Sequence, residues 1–383
     1  MVRKKMKPIY LDNAASTMVK DNVLEKFIDV TKIYGNPSSM HKIGVDAQSE
    51  IYDARDIISE KIVCKPDEIY FTSGATMSNQ LLIQGFIKKH PDCIVVTTNV
   101  EHNDIMMLME NTLCYKHILR VNKDGLINLD GLRKVLEYAE QDMNVPVLVS
   151  IQMANSETGI IQPIREIGKI VKEFSNAFLH MDATQYIPYF PINMECWGID
   201  SISMSGQKIG GIKGSGLLVV RQTLKNHVSP IIYGEQGLIG GTPSVPLIAS
   251  LGEAFKSLKY NPISIQDKRD KFLACLEDMG GILVGNKEHR LPNNIYIRFP
   301  TINGMLLLWM LNDNNIYIGT GSACSSDSDK PSHVALAYGL TEDEAFECVR
   351  FTLSNETTYN ELNYVIEVLE DLFYLNTNKE GKL

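Results

Sequence analysis

The stretch Glu68-Ile69-Tyr70-Phe71-Thr72-Ser73-Gly74-Ala75-Thr76, followed by Leu82, Ile83, Phe86 and Ile87, decides the fold. Residues 68–72 read as a strand. The apolar positions after Gly74 then fall on one stripe of a helix over 76–90. The same alternation continues outward. Residues 93–97 read as a strand, as do 147–151 after Pro146. Ile164, Ile167, Val171 and Phe174 mark an amphipathic helix, and strands follow at 178–181, 201–204 and 216–220. Strands alternating with helices predict an α/β fold with a mostly parallel sheet covered by helices on both faces.

Beyond about residue 255 the pattern changes. Residues 265–279 read as a helix, 294–299 as a strand with one wet face, and 341–350 and 360–373 as helices. This mixture predicts a smaller α+β domain. The polar tail, 376–383, is expected to fray.

The chain has 383 residues, long enough for about two domains. Its net charge of −9 gives no basic field to attract a nucleic acid backbone. The basic first seven residues run into Pro8 without an apolar core, so no signal peptide is expected. No apolar run has membrane-spanning length. Seven cysteines, widely spaced and without a C-x-x-C pair, read as reduced thiols of a cytoplasmic protein, mostly packing residues. The histidines show no metal-ligand spacing, and no metal is expected.

Four segments carry candidate chemistry. Ser205-Gly206-Gln207-Lys208 follows a strand in a glycine-rich turn, where a lysine amine can hold a carbonyl cofactor or simply cap a surface turn. Asp182, in Phe178-Leu179-His180-Met181-Asp182-Ala183-Thr184-Gln185, ends a strand where α/β proteins bind ligands. It suits a protonated pyridine nitrogen; taken alone, a helix cap or a loop acid is the simpler reading. Gly74-Ala75-Thr76 opens a helix and suits a phosphate, or is a plain N-cap. Cys324 sits among small polar residues in Gly319-Thr320-Gly321-Ser322-Ala323-Cys324-Ser325-Ser326-Asp327-Ser328-Asp329-Lys330. It reads as a nucleophile on an exposed loop, or as an incidental thiol.

Taken together and in order, these segments resemble the cysteine desulfurases, pyridoxal phosphate enzymes of fold type I in the class V aminotransferase superfamily. Further landmarks are Tyr10-Leu11-Asp12-Asn13-Ala14-Ala15-Ser16, Gly35-Asn36-Pro37, Glu101-His102, Asn155-Ser156-Glu157-Thr158-Gly159 and Val349-Arg350-Phe351. The resemblance implies a seven-stranded-type sheet in a large domain, 15–255. A small α+β domain combines 1–14 with 256–383. It implies that Lys208 holds pyridoxal phosphate covalently, Asp182 pairs with the ring nitrogen, His102 stacks on the ring and Gln185 faces its phenolic oxygen. Gly74, Ala75, Thr76 and Ser205 would bind the phosphate. Thr242 would reach the phosphate of a second subunit, so a homodimer is implied. Arg350 would grip the carboxylate of L-cysteine, with Asn155 and Asn36 on the substrate side. Cys324 would take the sulfur as a persulfide and pass it to an acceptor protein, such as an iron–sulfur cluster scaffold or a tRNA- or DNA-thiolation system.

The sequence departs from that pattern at several points. Gln207 replaces the usual histidine, and its amide can still donate to the phosphate. Ile212 replaces a proline, and Gln236 and Ile239 stand where arginines are common. The alternatives are another class V enzyme (selenocysteine lyase, cysteine sulfinate desulfinase or aminotransferase) or a silent scaffold of the same fold. The mobile-thiol segment argues against an aminotransferase, and the joint presence of Lys208, Asp182, His102, Arg350 and Cys324 argues against a scaffold.

Overall fold

The computed structural model describes residues 7–234, 237–321 and 330–380. Its centre is a seven-stranded sheet of β2 (Ile69–Thr72), β3 (Ile94–Thr98), β4 (Tyr115–Leu119), β5 (Val147–Gln152), β6 (Ala177–Asp182), β7 (Ser201–Ser205) and β8 (Gly216–Val220). The spatial order is β2-β8-β7-β6-β5-β3-β4. Only β8 runs against the rest, pairing antiparallel with both β2 and β7. The carboxyl ends of β2, β3, β5, β6 and β7 therefore share one edge of the sheet.

The middle strands are apolar along their length because helices cover both faces. Every residue of β3, β5 and β6 is buried. Helix α6 (Ile164–Val171) buries Ile164, Ile167, Ile170 and Val171 against this sheet, the stripe expected from its spacing. Strand β4 was not legible in the sequence. It lies at the sheet edge with Tyr115, Lys116, His117 and Ile118 exposed, so it carries no buried pattern. A charged edge strand also resists pairing with other chains.

A second apolar core joins the N-terminal strand β1 (Ile9–Tyr10) to the last third of the chain. Ile9 and Leu11 pack with Phe272, Leu273, Ile297, Phe299, Phe351 and Leu369. Strand β1 pairs parallel with β11 (Ile316–Tyr317), while β10 (Asn294–Arg298) lies between β9 (Ile282–Leu283) and β12 (Cys348–Thr352).

The structure departs from the sequence expectations at four places. Strand β10 has no wet face: all of it but Arg298 is buried, because Ile295 and Ile297 pack into the second core while Tyr296, on the other face, packs into the first. The helix expected over 341–350 stops at Phe346. Thr341 and Glu344 form a capping box that starts helix α12 (Glu342–Phe346), but Val349 and Phe351 then alternate into the second core as β12. The tail expected to fray is helical to Glu380, as the end of α13 (Tyr359–Glu380). Among the cysteines, Cys93 and Cys348 are buried as expected, but Cys196 is exposed. Among the described residues no helix is long and apolar enough to cross a membrane.

Candidate active site

Lys208 emerges from the end of β7 on a single 3-10 turn, Gly206–Lys208. Its Nζ donates to the carbonyl oxygens of Ala14 and Ala15, at 2.6 Å each. The Gln185 amide donates to the same Ala14 oxygen at 3.0 Å. The segment that supplies these carbonyls is fastened to the lysine turn: the Thr17 N–H donates to the Gln207 carbonyl at 2.9 Å, and the Gly210 N–H to the Thr17 hydroxyl at 2.9 Å.

Asp182 ends β6 and is buried. One carboxylate oxygen accepts from the Thr184 N–H at 2.9 Å, and the other from the Asn79 amide at 3.0 Å. That amide also donates to Asp104, at 3.2 Å. One side-chain NH2 thus bridges two carboxylates, and Asn79 itself accepts from the Ser203 hydroxyl. Burial raises the Asp182 carboxyl, and the nearby Asp104 charge raises it further. Burial also pushes Asp104 up, but the His102 ring at 2.7 Å and the Asn79 amide outweigh it and hold Asp104 below the usual range. His102 sits half-exposed at the start of α4 (Asn103–Glu110). Behind it Glu101 is fully buried, and burial pushes its carboxyl up to about 8.

At the end of β2, Thr72 and Ser205 both face Gly216 across β8. A side chain at Gly216 would come within 2.5 Å of the Gly74 Cα, so this crossing requires glycine. Gly74 has φ 150° and caps α3 (Ala75–Lys89), whose first N–H, on Ala75, donates to the Ser205 hydroxyl at 2.8 Å. A 15-residue helix thus presents its positive end beside a hydroxyl, close to the lysine turn.

Arg350 projects from β12 and is buried. Its Nη2 pairs with Asp12 at 2.6 Å and its Nη1 donates to the Ser156 carbonyl at 2.9 Å. Its Nε is buried and has no hydrogen-bond partner among the described residues. Asn155 is buried beside it. Its amide donates to the Val100 carbonyl at 2.9 Å, and its oxygen accepts from the Glu157 and Thr158 N–H groups.

The model of the aminotransferase class-V family matches residues 9–365. The chain belongs to the class V aminotransferase family. Within it the cysteine desulfurase IscS of Dictyoglomus turgidum is 35% identical, over 94% of this chain and 93% of the relative. A solved NifS-like protein superimposes with a TM-score of 0.87 at 29% identity, covering 96% of this chain and all of its own. A structure of SspA in complex with cysteine superimposes at 0.79 and 31% identity, covering 90% and 98%.

Class V enzymes of this kind depend on pyridoxal phosphate, and so does this chain. The sheet edge fits that group on two counts. Asp182 is a buried carboxyl whose neighbours among the described residues include an amide, an N–H and another carboxyl, and a protonated pyridine nitrogen would supply a compensating cation. The start of α3 with Ser205 offers the N–H and hydroxyl donors that a phosphate requires.

The edge brings together Lys208, Gln185, Asp182, His102, Ser205, Gly74 and Ala75, with Arg350 and Asn155 nearby. Thr76 is exposed on the first turn of α3. Gln207 touches the Thr17 backbone and hydroxyl through its own carbonyl. Two residues stand apart. Asn36 is exposed, its side chain accepting from the Ser38 N–H at 2.9 Å. Thr242 lies away from Lys208, exposed on the wall of a cavity of about 810 Å³ that Thr72, Ser73, Met77 and Gly216 also line, on the phosphate side of the edge. Cys324 and Gln236 lie outside the described residues. Ile239 packs against the core that includes Phe86 and Phe178, so its apolar side chain has a packing role. Sequence reasoning gave no role to Asn79, Asp12 or Glu157, although the last two lie inside quoted motifs. Nothing in a helical stripe distinguishes an asparagine that turns inward, as Asn79 does.

Proposed function

We propose that this chain is a pyridoxal phosphate-dependent cysteine desulfurase that converts L-cysteine to L-alanine and places the sulfur on Cys324. The observation that carries this reading is the link between Lys208 and Arg350. Residues 12–15 hold both: Asp12 pairs with Arg350, and the carbonyls of Ala14 and Ala15 take the Lys208 amine. A carboxylate-binding guanidinium thus stands a few residues of backbone from an amine that can attack or be displaced.

Lys208, Asp182, Gln185, His102, Ser205 and the start of α3, with Gln207 beside them, would hold the cofactor. Bound there, pyridoxal phosphate supplies the electron sink for charge developing at the substrate α-carbon. The chain's own residues do the rest. The Arg350 Nε, which has no partner among the described residues, would leave the guanidinium a donor for the substrate carboxylate, and the planar group would fix its orientation. Asn155 packs beside it. The free amine of Lys208 would take the α-proton on Nζ and return it to carbon. His102, held by Asp104, is half-exposed at the site mouth and can shuttle a proton. The Cys324 thiolate attacks the substrate sulfur. The S–S bond forms as the C–S bond breaks, and a proton at the former sulfur-bearing carbon completes alanine.

The persulfide then passes to an acceptor protein. The net charge of −9 favours a protein acceptor over direct nucleic acid contact, with an iron–sulfur scaffold or a thiolation enzyme the candidate class. A homodimer is supported by exposed Thr242 on the wall of the cavity that Thr72, Ser73 and Gly216 also line, and by exposed Tyr52 on the same wall. The six described free cysteines suit a reducing cytoplasm. The test is product analysis: purified protein given L-cysteine should release alanine and thiol-reducible sulfur in equal amounts. Formation of a keto acid instead would overturn the reading.

A further inference from the structure

Glu157 has no part in the chemistry above, yet it is buried against the site. It lies in the Asn155-Ser156-Glu157 turn, each residue of which makes a different tie. Asn155 stands beside Arg350. The Ser156 carbonyl accepts from Arg350 Nη1 at 2.9 Å. The Glu157 carboxyl accepts from the Ser332 hydroxyl at 2.6 Å. The turn itself is rigid, because the Glu157 N–H donates to Asn155 at 2.9 Å and the Glu157 carbonyl accepts from the Asn294 amide at 2.9 Å.

Ser332 is the foot of the chain on one side of Cys324. Its hydroxyl also accepts from the N–H groups of Val334 and Ala335 at 3.1 and 3.2 Å, so it fixes where α11 (His333–Ala337) begins. Gly321 is the foot on the other side, and it too rests on Glu157. A side chain there would lie 2.4 Å from Glu157 Oε2 and 2.5 Å from the Tyr296 hydroxyl. One buried carboxyl therefore touches the chain before and after Cys324. Its backbone neighbour holds the arginine assigned to the substrate.

We propose that Glu157 is a positioning residue for sulfur transfer, setting both feet of the Cys324 segment in register with Arg350 and hence with the substrate. This rests on the functional reading above and adds to it a coupling between substrate grip and thiol delivery. Glu157 touches neither cofactor nor substrate in this role. Its removal should slow the step made by Cys324 and leave the earlier steps alone.

The test uses the holoenzyme and two clocks. Rapid mixing with L-cysteine, followed by cofactor absorbance, times substrate engagement. Quenching with an alkylating reagent and counting persulfide on Cys324 by mass spectrometry times sulfur transfer. Glu157→Ala and Ser332→Ala should each slow persulfide formation at least tenfold, with the absorbance step and the KM for cysteine within twofold of wild type. Glu157→Gln keeps an oxygen for Ser332 in the same shape and should restore persulfide formation to within twofold. The double Ala variant should be slower than the worse single by less than the product of the two single effects, since the Glu157–Ser332 bond is lost in both. Gly321→Ala should reproduce the defect by collision with the carboxyl. The proposal is overturned if the absorbance step slows as much as persulfide formation, or if neither changes, or if Glu157→Gln is as impaired as Glu157→Ala. A wild-type protein that consumes cysteine without persulfide on Cys324 would instead remove the functional reading, and this inference with it.

Discussion

Lys208 and Gln185 donate to one oxygen: Nζ of the first and Nε2 of the second lie 2.6 and 3.0 Å from the carbonyl of Ala14. Two residues from different strand ends are thus aligned by the N-terminal segment before any cofactor arrives. That segment also belongs, through Ile9 and Leu11, to the second core. The site is therefore built at the meeting of two packed units, and a displacement of residues 12–15 would disturb the lysine and the arginine together.

Lys208→Ala removes the amine that tethers the cofactor and takes the α-proton. Turnover of cysteine should fall by about 10³-fold or more, since a nucleophile and a general base are lost together. The visible absorption of the bound cofactor should shift or vanish. Circular dichroism and melting temperature should stay close to wild type, because the side chain is only half-buried.

Asn79 bridges Asp104 and Asp182 with one NH2 group. Asn79→Ala leaves two buried carboxylates short of a donor, which costs about 1–3 kcal/mol. In a chain of this size that is a fall of a few degrees in Tm. Cofactor affinity should weaken as well, because Asp182 loses its orientation. Thermal melts with and without added pyridoxal phosphate check both effects.

Glu101 gives a pH signature. Burial raises its carboxyl to about 8 from an ordinary 4.5. The folded protein therefore binds a proton that the unfolded chain has released. This contribution is fully present below pH 4.5 and is lost as pH rises through about 8. Glu101→Gln cannot lose it. The Tm difference, variant minus wild type, should grow more positive between pH 5 and 8.5. Buried His180, pushed down to about 3, acts in the opposite direction at low pH and is common to both proteins.

Arg350→Lys replaces a planar fork with a point charge. Asp12 and the Ser156 carbonyl can still find an ammonium, but the bidentate grip is lost. The KM for cysteine should rise about tenfold or more, while cofactor absorbance in the resting enzyme stays unchanged. Steady-state kinetics over cysteine concentration separate the two.

The α/β order was legible because the middle strands are buried on both faces and read as short apolar runs. Strand β4 was not, because an exposed edge with Lys116 and His117 has no such run. Strand β12 was misread as helix because the capping box at Thr341 and Glu344 signals a start, while the stop is set by pairing with β10, distant in sequence. Among site residues, Lys208 and Asp182 were visible as polar residues directly after strands. Asn79 and Glu157 were not, since their importance lies in which distant groups they face. Asp12 became meaningful only once Arg350 was seen on a strand beside it.

The central claim is tested most directly by the fate of the substrate's sulfur. The holoenzyme is mixed with one equivalent of L-cysteine labelled with ³⁵S, desalted under non-reducing conditions and counted. Label should stay on the wild-type chain until a thiol reductant releases it, alanine should form in matching amount, and Cys324→Ser should retain no label. Equal retention of label by Cys324→Ser, or label retained without alanine, would contradict that claim.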